Sequence, residues 1–168
     1  DDNNVNNSGI DYVAWNWKSG GAPTTTNSAG AGNVPTAGSV KIDGADSTTA
    51  LAGTIAATSI SANTEAGFSV VKWTGDGTNA TIGHGLSSTP EMIIVKPLDS
   101  QTSGNDWKVY HSALGNLKII YLNLTATPDS ATSSFWGTIN SSVFGQGGAD
   151  VSYLNKLNYD YIAYCFAS

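Results

Sequence analysis

Phe68-Ser69-Val70-Val71-Lys72-Trp73, bounded by Gly67 on one side and by Thr74-Gly75-Asp76-Gly77 on the other, decides the fold class. β-branched and aromatic residues dominate the run and turn residues close both ends, which marks a strand. Apolar side chains fall at both parities, so this strand is expected at the centre of a sheet with both faces at least partly covered. Ile119-Ile120-Tyr121-Leu122-Asn123-Leu124 has the same character. Outward from these two, strand signals recur over 67–74, 79–82, 91–98, 107–111, 118–124, 135–139 and 159–167. Many short strands with no helical stretch of useful length predict an all-β fold, a β-sandwich or jelly roll, with Phe68, Val70, Ile94, Ile120, Leu122 and Ile162 in its core. Gly75-Asp76-Gly77 reads as a hairpin turn, because Asp-Gly supplies positive φ.

Three zones follow. Residues 54–168 are the expected sandwich, 18–53 a Gly, Ala, Ser and Thr-rich arm with one short strand near Ser39-Val40-Lys41-Ile42, and 1–17 an N-terminal strand segment. Tyr12-Val13-Ala14-Trp15-Asn16-Trp17, preceded by Asp11, matches Tyr161-Ile162-Ala163-Tyr164-Cys165-Phe166, preceded by Asp160. Period-two alternation puts Val13, Trp15 and Trp17 on one face, as it does Ile162, Tyr164 and Phe166. The 36 residues from Lys18 to Gly53, if extended, reach on the order of 100 Å. That reach lets the segment meet its own sandwich or a neighbour's; the match to the C-terminal strand favours donation to a neighbouring subunit, at the edge corresponding to that strand, and the alternative is an arm folded back in cis. Repeated head to tail, that contact does not close and builds a filament.

Composition narrows the function. The 168 residues suit one core, and only 12% are charged, with seven Lys, no Arg and a net charge of -6. No Lys cluster offers a footprint for phosphate backbones, so nucleic acid is not an expected partner. No apolar run is long enough to span a bilayer. Cys165 lies in an aromatic run and is expected to be buried and inert. The first residue is Asp1, as expected of a processed chain or of the ordered part of something longer.

Tests for chemistry fail one after another. No Gly-x-Ser-x-Gly elbow accompanies His84 or His111. His84, between two glycines, reads as a turn-stabilising side chain. One Cys and two distant His fall short of a zinc site. Gly75-Asp76-Gly77-Thr78-Asn79-Ala80 fits the dinucleotide fingerprint in form, yet no helix follows to meet a pyrophosphate. Asp43-Gly44-Ala45-Asp46 reads as a plain turn rather than a calcium loop. Neither catalysis, metal nor cofactor is expected. Asn79, Asn123 and Asn140 open acceptor triplets for N-linked sugar.

Gly67 through Gly75, Gly83-His84-Gly85-Leu86, Pro90 through Lys96, Val109-Tyr110-His111-Ser112 and Tyr161 through Ala167 together resemble a family of uncharacterised domains in phage tail-fibre and related bacterial structural proteins of marine and freshwater origin. The stretch from Gly21 to Gly44 is similar to the arm preceding the domain in that family. The resemblance implies a concanavalin-like or jelly-roll sandwich, and no catalytic residues carry over. The expected function is a structural subunit of an extracellular filament or phage fibre. The alternative is a carbohydrate-binding module, with Trp107, Tyr110, His111 and Trp136 as a surface for stacking sugars beside the 100–106 loop.

Overall fold

The computed structural model describes residues 8–99, 105–130, 135–147 and 154–168 and is an all-β sandwich. Its strands among the described residues are β1 (Val40–Ile42), β2 (Ala45–Asp46), β3 (Ser59–Asn63), β4 (Phe68–Thr74), β5 (Ala80–Gly83), β6 (Met92–Pro97), β7 (Lys108–His111), β8 (Lys118–Tyr121), β9 (Asp129–Ser130), β10 (Val143–Gln146) and β11 (Asp160–Phe166). The sandwich is asymmetric. A large sheet runs in the order β2-β1-β3-β4-β11-β6-β7-β8-β9, and the pair β10-β5 covers one of its faces. Most neighbours are antiparallel, with β1 and β3 parallel.

The core lies between the two layers. Val71 and Trp73 of β4, Tyr161, Ala163 and Cys165 of β11, and Ile93 and Val95 of β6 point into it and are fully buried. Phe144 of β10 closes on Trp73 from the other layer, ring centroids 5.4 Å apart, and Tyr161 stacks on the same indole at 5.2 Å. This corrects the expected core by one residue of parity. Val70, Ile94, Ile120 and Ile162 are half-buried on the opposite face, and Leu122 is 64% exposed. Phe68 also belongs to that outer face, but Trp17 and Phe166 cover it. Both parities of these central strands are apolar, so alternation alone could not rank them.

Two turns exchange roles. The Asp-Gly hairpin is Asp43-Gly44, joining β1 to β2 with φ of 52° and 90° and Ile42 opposite Ala45. Gly75-Asp76-Gly77 instead carries the chain from the large sheet to the small one. There Asp76 accepts from the Thr78 amide (2.9 Å) and from the Asn155 side-chain amide (2.7 Å), and Asn155 accepts from the Trp73 indole (3.2 Å). Residues 135–139 form no strand, only a bridge between Trp136 and Gln146. Strands β3 and β10 lie where no strand was expected.

The arm is part of the fold, and the sheet begins before residue 54. Val40 and Leu51 enter the core. The Ser61 hydroxyl donates to the Gly21 carbonyl at 2.6 Å, the Gly44 amide to the Gly20 carbonyl at 2.8 Å, and the Asn27 amide to the Thr58 carbonyl at 2.8 Å. Gly20 packs so tightly that a Cβ there would stand 1.8 Å from the Ala62 carbonyl oxygen. A tether of about 100 Å is therefore ruled out. Among the described residues, the exposed stretch that joins no strand before the arm is 8–18.

Candidate functional site

The outer face of the large sheet is built row by row from strand register. Val70, Tyr164, Ile94, Val109 and Ile120 are successive cross-strand neighbours on β4, β11, β6, β7 and β8. Phe68, Phe166, Met92 and His111 form the next row, and Lys72, Ile162 and Lys96 the row on the other side. No second layer of sheet covers these rows among the described residues. The apolar stripe, bordered by two lysines, is half-buried at Val70, Ile94, Ile120 and Tyr164 and buried at Val109.

The N-terminal segment reaches this face. Trp17 stacks on Phe68 (centroids 5.9 Å) and meets Phe166 edge-on (5.2 Å). Beyond it, residues 10–18 join no strand of their own chain. Ile10, Val13 and Trp15 are 59%, 75% and 76% exposed. Trp15 and Trp17 border a wholly apolar groove of about 360 Å³, whose floor and far wall are Ile94, Tyr164, Leu122 and Trp107. Trp107 stacks on Tyr164 at 6.3 Å with an 18° interplanar angle. On the other side of that ring pair lies a more polar hollow of about 350 Å³, lined by Lys96, Asp99, Asn105 and Ile162.

The matched terminal segments do meet, through Trp17 and Phe166, but in different roles. β11 is paired along its length with β4 on one side and β6 on the other. No edge exists beside it to accept a donated strand, which corrects that part of the expectation. Tyr161, Ala163 and Cys165 face the core, whereas Ile162, Tyr164 and Phe166 face outward. Residues 1–7 and 100–104, which hold the start of the N-terminal segment and most of the 100–106 loop, lie outside the described residues.

The expected sugar surface is split. Trp107 is on the outer face, but Trp136 and Tyr110 meet edge-on at 5.6 Å inside the core, at 0% and 7% exposure. His111 sits at the rim, its Nδ1 accepting from the Ala113 amide. Tyr164, in the strand already singled out for another reason, replaces them as the partner of Trp107. Its signal was available in the second apolar parity of β11. Of the acceptor asparagines, Asn79 is exposed. Asn123 accepts from the Trp107 amide (2.9 Å), and Asn140 accepts from the Ser142 and Val143 amides.

Three further reactive groups, His84, Cys165 and Lys108, are buried. His84 is fully buried, its Nδ1 accepting from the Leu86 amide (3.1 Å), which leaves Nε2–H to donate to the Asn140 carbonyl (3.0 Å). Burial lowers its pKa and holds the ring neutral, with the Asn140 bond opposing. Cys165 is buried opposite Ser69, and burial pushes its thiol up to about 12. Lys108 points inward, and burial pushes its ammonium down to about 8, with Asp106 opposing. Among the described residues, no group of three or more His, Cys, Asp or Glu is placed to hold a metal ion, and no helix is long and apolar enough to cross a membrane.

No curated protein and no solved structure matches the chain. A family model described as a domain of unknown function (DUF7483) matches residues 36–168, which takes in β1 and every later strand. The chain belongs to this DUF7483 family.

Proposed function

We propose that the chain is a non-enzymatic structural subunit of an extracellular filament or phage fibre, joined to its own copies through the N-terminal segment. The observation that carries this reading is that Val13 and Trp15, on a segment that joins no strand of its own chain, stay largely exposed beside an apolar sheet face on which no second layer of sheet lies among the described residues. Leaving Val13 and Trp15 in water forgoes most of the roughly 1.5–3 kcal/mol for each side chain that burial would otherwise supply. Low charge, a Gly, Ser and Thr-rich arm and the resemblance to tail-fibre domains support the extracellular, fibrous setting. Because both sides of β11 are occupied, the segment acts through its side chains on the sheet face rather than as an added edge strand. Deleting residues 1–17 and examining the product by mass photometry and electron microscopy tests this. Loss of assembly with a retained β-type circular dichroism spectrum is expected, and unchanged assembly would refute it.

A second reading, a carbohydrate-binding module, is favoured by one feature. The stacked Trp107 and Tyr164 rings, beside Asp99, Asn105 and Lys96, combine a flat apolar platform with polar groups at its rim. A glycan array probed with the full chain and with Trp107→Ala checks it, since binding that survives the substitution excludes this platform.

A further inference from the structure

We propose that two copies of the chain pair outer face to outer face, each seating Trp15 in the groove formed by Tyr164, Trp107 and Leu122 of the other. The inference rests on the self-assembly reading and names its contact and its symmetry.

Reach selects the geometry. Trp17 is anchored between Phe68 and Phe166 of its own sheet. Trp15 follows two residues away, about 7 Å of extended chain. With Trp17 in place, Trp15 can enter only a groove that lies within that distance of its own sheet face. A neighbour displaced along the sheet by a domain width, about 40 Å for a chain this long, presents its groove too far off. A copy stacked on the same face presents it within reach. Trp15 borders the groove of its own chain but remains 76% exposed there, so it does not fill it.

Area and charge agree with that partner. Trp15, Trp17, Ile10, Val13 and Leu122 are 52–76% exposed, which amounts to roughly 300–550 Å² of apolar surface per copy. A stable interface of standard size needs about 800 Å² per partner, a little over half of it apolar. The two quantities meet. Of the described part of the segment, residues 8–17 carry Asp11 as their one charge, with Lys18 next in the chain. The face they would cover carries Lys72 and Lys96 beside the apolar stripe, flanking Ile162. A face-to-face pair brings Asp11 of one copy to the side of the other that carries these lysines, twice.

Such a contact is isologous and closes at two. It makes a dimer the building block, so that growth into a filament runs through a second contact between dimers, and it hides Trp107 and Tyr164 from other ligands.

Disulfide trapping in the full-length chain tests this. Trp15→Cys and Leu122→Cys are placed in separate chains, both positions being exposed enough to leave the fold intact, and the chains are mixed under mild oxidation. A cross-linked heterodimer is expected, and the chain bearing both substitutions should form a doubly linked dimer. In the unsubstituted background, Trp15→Ala and Trp107→Ala should each raise the dimer dissociation constant tenfold or more by sedimentation velocity. A monomer whose two introduced cysteines are joined to each other within one chain overturns the proposal in favour of intramolecular closure. A ladder of oligomers overturns the closed dimer but leaves self-assembly standing. A chain that stays monomeric at every concentration removes both.

Discussion

Replacing Ile93 and Leu122 separately by Ala tests which face of the large sheet is the core. Ile93 is 0% exposed, set between Cys165 and Tyr110 on neighbouring strands. Its truncation loses transfer free energy and leaves a cavity, for a cost of about 2–5 kcal/mol. In a chain of this size that lowers the melting temperature by about 4–20 °C. Leu122 has only about a third of its surface covered, being 64% exposed. A third of the 1.5–3 kcal/mol for a fully buried Leu bounds its cost at about 0.5–1 kcal/mol. The assay is urea unfolding followed by tryptophan fluorescence, at a protein concentration low enough to keep the chain monomeric. Equal losses, or a larger one for Leu122→Ala, would mean that the even-numbered residues of β4, β6 and β11 form the core, and the inside and outside described above would be reversed.

Cys165 should resist alkylation at pH 8 in the folded protein and react fully in denaturant, since burial pushes its thiol up to about 12; rapid native-state labelling counts against its placement. Burial lowers the pKa of His84 from 6.5, so below that value the unfolded chain binds the extra proton. His84 therefore contributes stability that is complete above about pH 6.5 and is lost as the pH falls through its folded-state pKa. His84→Gln should flatten that part of the stability-versus-pH curve, and an unchanged slope would show that other groups set it. Gly20→Ala forces a Cβ to 1.8 Å from the Ala62 carbonyl oxygen, and should cost about 1–3 kcal/mol or more. Gly30→Ala, whose Cβ meets only the Asn33 amide at 3.7 Å, is the control, and equal melting temperatures for the two variants would contradict the docked arm.

The strands richest in β-branched and aromatic residues were legible. β4, β6 and β11 lie within two residues of their expected bounds because alternating bulk and flanking turns leave few other conformations. β3, Ser-Ile-Ser-Ala-Asn, was not, because its small residues are chosen for close approach of the arm rather than for strand preference. The arm itself looked like a linker for the same reason. Gly20, Gly21 and Ser61 hold it by backbone contact, and composition rules read such residues as flexibility. The apolar bulk of Trp15 and Trp17 calls for cover, while the surface they meet lies in the second apolar parity of the central strands, which alternation does not rank. Trp136 and Tyr110 drew attention as aromatics, but nothing local distinguishes a ring at a rim from one in the interior.

The central position of β11 also sets when the protein can fold. β4 and β6 do not pair with each other, and β11 fills the gap between them. During synthesis, Pro97 leaves the peptidyl-transferase centre 69 residues before Phe166. At 5–20 residues per second that is about 3–14 s in which two nascent strands expose unpaired edges. The large sheet is completed only after β11 clears the ribosome, so the growing chain needs protection from its neighbours on the polysome through that interval.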